Sequence, residues 1–139
     1  DPGVRADHAG RALTERVGAC LARRVRLEAL VLFGSRARGD AFEDSDWDLA
    51  VVSADFEGLN PIERSLRVLD CVVPRAELVC LTPAELLEPR LSYLRCGVLE
   101  EGVPISDRGA FREARTHYLA EKAAGRIRFR GALVEFQTA

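Results

Sequence analysis

Apolar residues recur along this chain with two different periods. Between residues 6 and 26, Ala12, Leu13, Val17, Cys20, Leu21 and Val25 return at near-helical spacing. Arg11, Glu15, Arg16, Arg23 and Arg24 fill the gaps, which predicts an amphipathic helix with a solvated arginine face. Gly18 weakens that helix slightly. The helical period is then lost. Residues 28–33, Glu-Ala-Leu-Val-Leu-Phe, form a short apolar run stopped by Gly34, and residues 47–53, Trp-Asp-Leu-Ala-Val-Val-Ser, form a second. Runs of this kind read as strands, the first buried on both faces. The 34–45 segment between them reads as a loop with room for one helical turn after Ser35.

Asn60-Pro61 marks a second helix, N-cap followed by proline at the first position, running to about Asp70 with Ile62, Leu66 and Leu69 on one face. After Pro74, residues 76–81 predict a third strand. Thr82-Pro83 caps a helix over about 83–95 that carries Leu86, Leu87, Leu91 and Leu94, that Pro89 kinks or splits, and that Gly97 ends. Residues 98–105 predict a short strand with a bend at Gly102. Residues 110–125 have a weak helical face of Phe111, Ala114, Tyr118, Leu119 and Ala123. From Ile127 to Phe136 a strand and a partner-binding segment are both open. The predicted architecture is α/β (α+β), a small mixed sheet covered by helices.

Composition adds bounds. A chain of 139 residues, 47% hydrophobic and 30% charged, has the make-up of one soluble globular domain. A net charge of -2 argues against a general nucleic-acid binder. Lys122 is the only lysine, a bias that fits a GC-rich genome or a thermophile and carries no function. No apolar run approaches the roughly 18 residues of a membrane span. The Asp-Pro-Gly start has no apolar signal segment, and the absence of Met reads as a processed or trimmed start; a cytoplasmic protein is expected. Cys20, Cys71, Cys80 and Cys96 form no C-x-x-C pair and have no histidine at ligand spacing. They predict reduced, buried or half-buried thiols and no zinc site.

The chemistry concentrates between Leu30 and Val52. Gly34 to Gly39 fits the front of a phosphate-binding loop, but Asp40-Ala41 follow where Lys-Ser/Thr is required. Asp44-Ser-Asp46-Trp-Asp48 resembles the opening of a calcium loop, but Leu49 stands where glycine is needed. Ser35 lacks a G-x-S-x-G context, and His8 and His117 are poorly placed for a triad. What remains is coherent. Gly34 lets backbone approach a phosphate, and Ser35 adds an N–H and a hydroxyl. Asp46 and Asp48, two apart at the mouth of a strand, share a face and offer hard oxygen ligands suited to Mg²⁺. A third acid on a neighbouring strand would complete a site for two ions about 3.5–4 Å apart. Glu77 is the candidate and Asp70, at a helix end, the fallback.

Gly34-Ser35, a spacer and Asp46-Trp-Asp48-Leu49 together resemble the signature of the DNA polymerase β-like nucleotidyltransferase superfamily. The longer Gly-Ser-Arg-Ala-Arg-Gly with Ser45-Asp46-x-Asp48-Leu-x-Val resembles its minimal prokaryotic members. The likeness spans about residues 28–105 of a single domain, leaving an N-terminal helix at 6–26 and an extension at 106–139. The resemblance implies that Asp46, Asp48 and Glu77 are catalytic and hold two Mg²⁺ ions, with Glu77 helping to deprotonate an acceptor. It implies that Gly34, Ser35, Arg36 and Arg38 bind the phosphates of ATP, although one of the two arginines is open to a structural role. It further implies transfer of AMP to a hydroxyl, and an antitoxin paired with a small helical HEPN toxin whose tyrosine is the acceptor. A non-catalytic binding module of the same fold and an adenylyltransferase for a small aminoglycoside-like molecule are the alternatives. Position 77 departs from the pattern, carrying Glu where minimal members usually have Asp, and the segment beyond Ile105 is longer than a minimal domain needs.

Overall fold

A computed structural model describes residues 2–88, 92–130 and 133–136, with side chains over 10–88 and 92–128. The two apolar runs become β1 (Ala29–Phe33) and β2 (Trp47–Val52), joined by a loop that holds the short helix α2 (Ser35–Arg38). β3 (Ala76–Leu81) and β4 (Val103–Asp107) complete a four-stranded sheet in the order β3-β2-β1-β4. β1 runs antiparallel to both β2 and β4, whereas β2 and β3 are parallel. This is the mixed α/β sheet that the sequence predicts.

Every residue of β1 is buried, because helices cover both faces of the sheet. On one face α1 (Pro2–Arg24) lays Val17, Leu21 and Val25 against Leu30, Leu32, Leu49 and Val51, with Phe56, Val68 and Cys71 of the β2–β3 crossover beside them. On the other face α4 (Pro83–Leu87), α5 (Tyr93–Glu101) and α6 (Ala110–Ala123) pack Leu86, Val98, Leu99, Phe111 and Tyr118 against Val31, Phe33, Ala50 and Val52. After α6, β5 (Ile127–Arg130) and β6 (Leu133–Phe136) pair antiparallel as a separate two-stranded sheet, so the described part of the tail segment is strand. Among the described residues no helix is long and apolar enough to cross a membrane.

Three local expectations are corrected, and the expected split of the 83–95 helix is observed. The helix after Asn60, α3 (Pro61–Arg67), keeps its predicted cap, Asn60 and Glu63 forming a reciprocal capping box. Its apolar stripe, however, faces outward: Ile62, Leu66 and Leu69 are 73%, 63% and 60% exposed, and Val68 and Cys71 fill the core in their place. Gly97 does not end a helix but lies within α5, which runs on to Glu101, so the strand predicted from residue 98 begins at Val103. A Cβ on Gly102 would stand 2.1 Å from the Val98 carbonyl and 2.6 Å from Val31, which makes this the residue where the chain can turn into β4. The predicted 83–95 helix is divided into α4 and α5; Pro89, the predicted breaker, and Leu91 lie outside the described residues. Finally, Cys20 of α1 and Cys71 are joined in a disulfide, not left as thiols, because the crossover places Cys71 under α1 with the Cα atoms 5.5 Å apart. Cys80 and Cys96 remain free.

Candidate active site

The site forms where β1 ends and β2 and β3 begin. The parallel register sets Asp48 directly opposite Glu77, and the antiparallel register sets Asp48 opposite Phe33, the last residue of β1. Side chains paired in this way emerge on one face of the sheet. Asp46 precedes β2 by one residue and is exposed, as is Glu77, whereas Asp48 is half-buried. Desolvation pushes the Asp48 carboxyl above its usual carboxylate value, and the charges of Glu77 and then Asp46 push it further; Arg38 opposes them.

Gly34 is where the glycine loop meets these acids. Its φ of 77° is in the region that disfavours side chains, and an added Cβ would stand 2.3 Å from Asp48 Oδ2. The absence of a side chain therefore lets the backbone cross the carboxylate directly. Ser35 opens α2, and its carbonyl accepts the N–H groups of Gly39 and Asp40, which closes the turn.

The two arginines of α2 differ in their surroundings. Arg36 turns inward: its Nη2 donates to the carbonyls of Glu43 (3.0 Å) and Ser45 (2.9 Å), and its guanidinium lies 4.5 Å from the Trp47 ring centroid. Arg75, at a left-handed φ of 71°, donates to the same Glu43 carbonyl, and its own carbonyl accepts from Trp47 N–H. Together these contacts brace the loop before Asp46. Arg38 instead points at the site, contacting Asp40 Oδ2 (3.1 Å) and both oxygens of Glu101 (2.9 and 3.1 Å). Asp40 first and then Glu101 raise its pKa, keeping it charged.

Glu101 is a residue that the sequence reading does not single out. At the C-terminal end of α5 it also accepts the Gly34 N–H (3.2 Å). With α5 running on to Glu101, Glu100 and Glu101 put two carboxylates at a helix C-terminus, where the macrodipole disfavours them unless other donors hold them. Glu100 is held by Lys122 and Tyr118, and Glu101 by Arg38 and Gly34. The fallback ligand Asp70 is elsewhere, paired with Arg24 (2.6 Å) beside the disulfide. His117 lies in a shallow surface groove with Leu87 and Arg112; the side chain of His8 lies outside the described residues.

The donor set suits a hard divalent cation: carboxylate oxygens at the end of the sheet, with Asp48 partly desolvated and feeling the charges of Glu77 and Asp46, and no soft ligand among them. Among the described residues no group of three His, Cys, Asp or Glu side chains is close enough, as it stands, to enclose an ion.

A mixed sheet with a glycine turn leading into paired acids on adjacent strands defines a nucleotidyltransferase fold. Residues 15–84 match the polymerase β nucleotidyltransferase domain, and the chain belongs to that family. No curated protein gives a significant match. Among solved structures, a Sulfolobus solfataricus protein assigned as a nucleotidyltransferase superposes with a TM-score of 0.63 at 22% identity, over 78% of this chain and 89% of its own. The toxin–antitoxin MntA–HepT gives a TM-score of 0.51 at 16% identity, over 81% and 90% of the two chains. A toxin–antitoxin solved with AMP-PNP gives 0.50 at 20% identity, over 79% and 90%. At these identities the likeness establishes the fold.

Proposed function

We propose that this protein is a Mg²⁺-dependent nucleotidyltransferase that moves AMP from ATP to a tyrosine hydroxyl of a HEPN-type helical partner, and so acts as an antitoxin. The observation that carries the reading is the meeting of Gly34, Asp48 and Glu77 at one end of the sheet. The partner and the nucleotide are supported by the toxin–antitoxin structures of the same fold, one solved with AMP-PNP.

Asp46, Asp48 and Glu77 would hold the metal, whose chemistry is to neutralise the triphosphate and lower the barrier to attack on it. Gly34 N–H, Ser35 and Arg38 bind phosphate oxygens. Arg36 keeps the loop before Asp46 in place from behind, through Glu43, Ser45 and Trp47. Glu77 takes the acceptor's proton as its oxygen bonds to the α-phosphorus, the bond to the β-phosphate oxygen breaks, and pyrophosphate leaves with that electron pair. An inactive binding module is disfavoured because Gly34 and both aspartates are retained together.

The test is incubation of the protein with α-labelled ATP, Mg²⁺ and a co-encoded HEPN-type protein. Label is expected on a partner tyrosine, and it should be lost with Asp46→Ala or with chelator. Absence of label from the wild type, or equal labelling by Asp46→Ala, would sink the reading.

A further inference from the structure

We infer that Glu101 is a carboxylate latch on the phosphate donors of this site: in the nucleotide-free protein it holds the Gly34 N–H and the Arg38 guanidinium, and an incoming triphosphate takes both from it. The inference rests on the nucleotidyltransferase reading above.

The geometry is that of a phosphate mimic. Glu101 Oε1 accepts from Gly34 N–H at 3.2 Å and from Arg38 Nη1 at 2.9 Å, while Oε2 lies 3.1 Å from the same nitrogen. A backbone amide beside a charged guanidinium is a donor set that carboxylate and phosphate oxygens accept from alike. The single Gly34 N–H serves one of the two anions at a time, and two anions side by side at Arg38 repel each other. Binding of a triphosphate there therefore requires Glu101 to leave.

Three features make Glu101 a latch and not merely a core residue. Its backbone is fixed, because Gly102 behind it is wedged against Val98 and Val31 and determines where α5 ends. Its side chain is still within reach of solvent, at 22% exposure, and so is Arg38, at 47%. The end of α5 gives it no support of its own, since the helix dipole there repels a carboxylate; its anchors are the two donors that the nucleotide needs. Arg38 keeps its contact with Asp40 at 3.1 Å, so releasing Glu101 leaves the guanidinium aimed at the site.

The test is the affinity of the whole protein for MgATP, measured by calorimetry without an acceptor. Glu101→Gln keeps the side-chain shape and removes the competing charge, and Glu101→Ala removes the group. Both are expected to bind MgATP about two- to fivefold more tightly than the wild type, the range set by a partly exposed ion pair. In the wild type the Gly34 amide resonance is expected to shift on adding MgATP. Equal or weaker binding by both variants with native melting curves overturns the latch, as does an unmoved Gly34 amide while ATP binds elsewhere. A wild type that binds no MgATP removes the nucleotidyltransferase reading itself, and the latch with it.

Discussion

Asp48 and Glu77 face each other across the parallel β2–β3 pair, one residue to one residue, at the end of the sheet where the glycine loop arrives. The register alone brings the second and third expected metal ligands to the same face. Glu77 is exposed, so its carboxylate contributes little to folding. Glu77→Gln is expected to lower the rate of nucleotidyl transfer by about 100-fold or more without lowering the melting temperature. Single-turnover kinetics beside a thermal melt checks this, and an unaltered rate would take Glu77 out of the site.

Asp48 should behave differently, because its charge is costly in the free protein. Burial first, then Glu77 and Asp46, raise its folded pKa. A raised carboxyl pKa means that the folded state holds its proton longer than the unfolded state. Stability is then greatest below the ordinary aspartate pKa and falls as pH rises through the raised one. Asp48→Asn removes that penalty. At pH 7 the variant is expected to melt above the wild type, with the gain vanishing at acid pH and catalysis lost. Melting curves across pH test the sign, and a variant that is less stable at pH 7 would refute it.

Gly34 is constrained twice, by a φ of 77° and by an added Cβ standing 2.3 Å from Asp48 Oδ2. Gly34→Ala should therefore cost about 2–4 kcal/mol in denaturant unfolding and weaken MgATP binding together. A folded variant with native affinity would show that the loop can yield, and that the close crossing over Asp48 is dispensable.

What the sequence made legible follows from how local each feature is. The strands 29–33 and 47–52 were readable because continuous burial erases periodicity, and the family likeness was readable because Gly34-Ser35 and Asp46-x-Asp48 are near neighbours in the chain. The stripe of Ile62, Leu66 and Leu69 misled because periodicity reports that one face differs from the other, not which face meets the sheet; in α3 the cap chemistry was local and correct, and the docking was not. Glu101 escaped because its partners, Gly34 and Arg38, are more than sixty residues away. The Cys20–Cys71 bond escaped for the same reason: nothing in a separation of 51 residues marks a pair.

That disulfide gives the last prediction. It ties α1 to the end of the β2–β3 crossover, with Cys71 buried among Val17, Leu21 and Val25. Closing a loop of 51 residues should stabilise the fold by about 2–4 kcal/mol, and both reductant and Cys20→Ser should remove that contribution in urea unfolding. The neighbouring Arg24–Asp70 pair, exposed on both sides, should be worth less than about 1 kcal/mol when Arg24→Ala is measured alone. The effect should extend to the site. α1 also carries Gly10, where a Cβ would stand 2.0 Å from the Trp47 ring, so the helix rests directly on the residue between Asp46 and Asp48. Loosening α1 by reduction is therefore expected to weaken MgATP binding as well as stability. Superimposable unfolding curves with and without reductant would show that the bond does not contribute, and native MgATP affinity in the reduced protein would show that α1 does not set the position of the two aspartates.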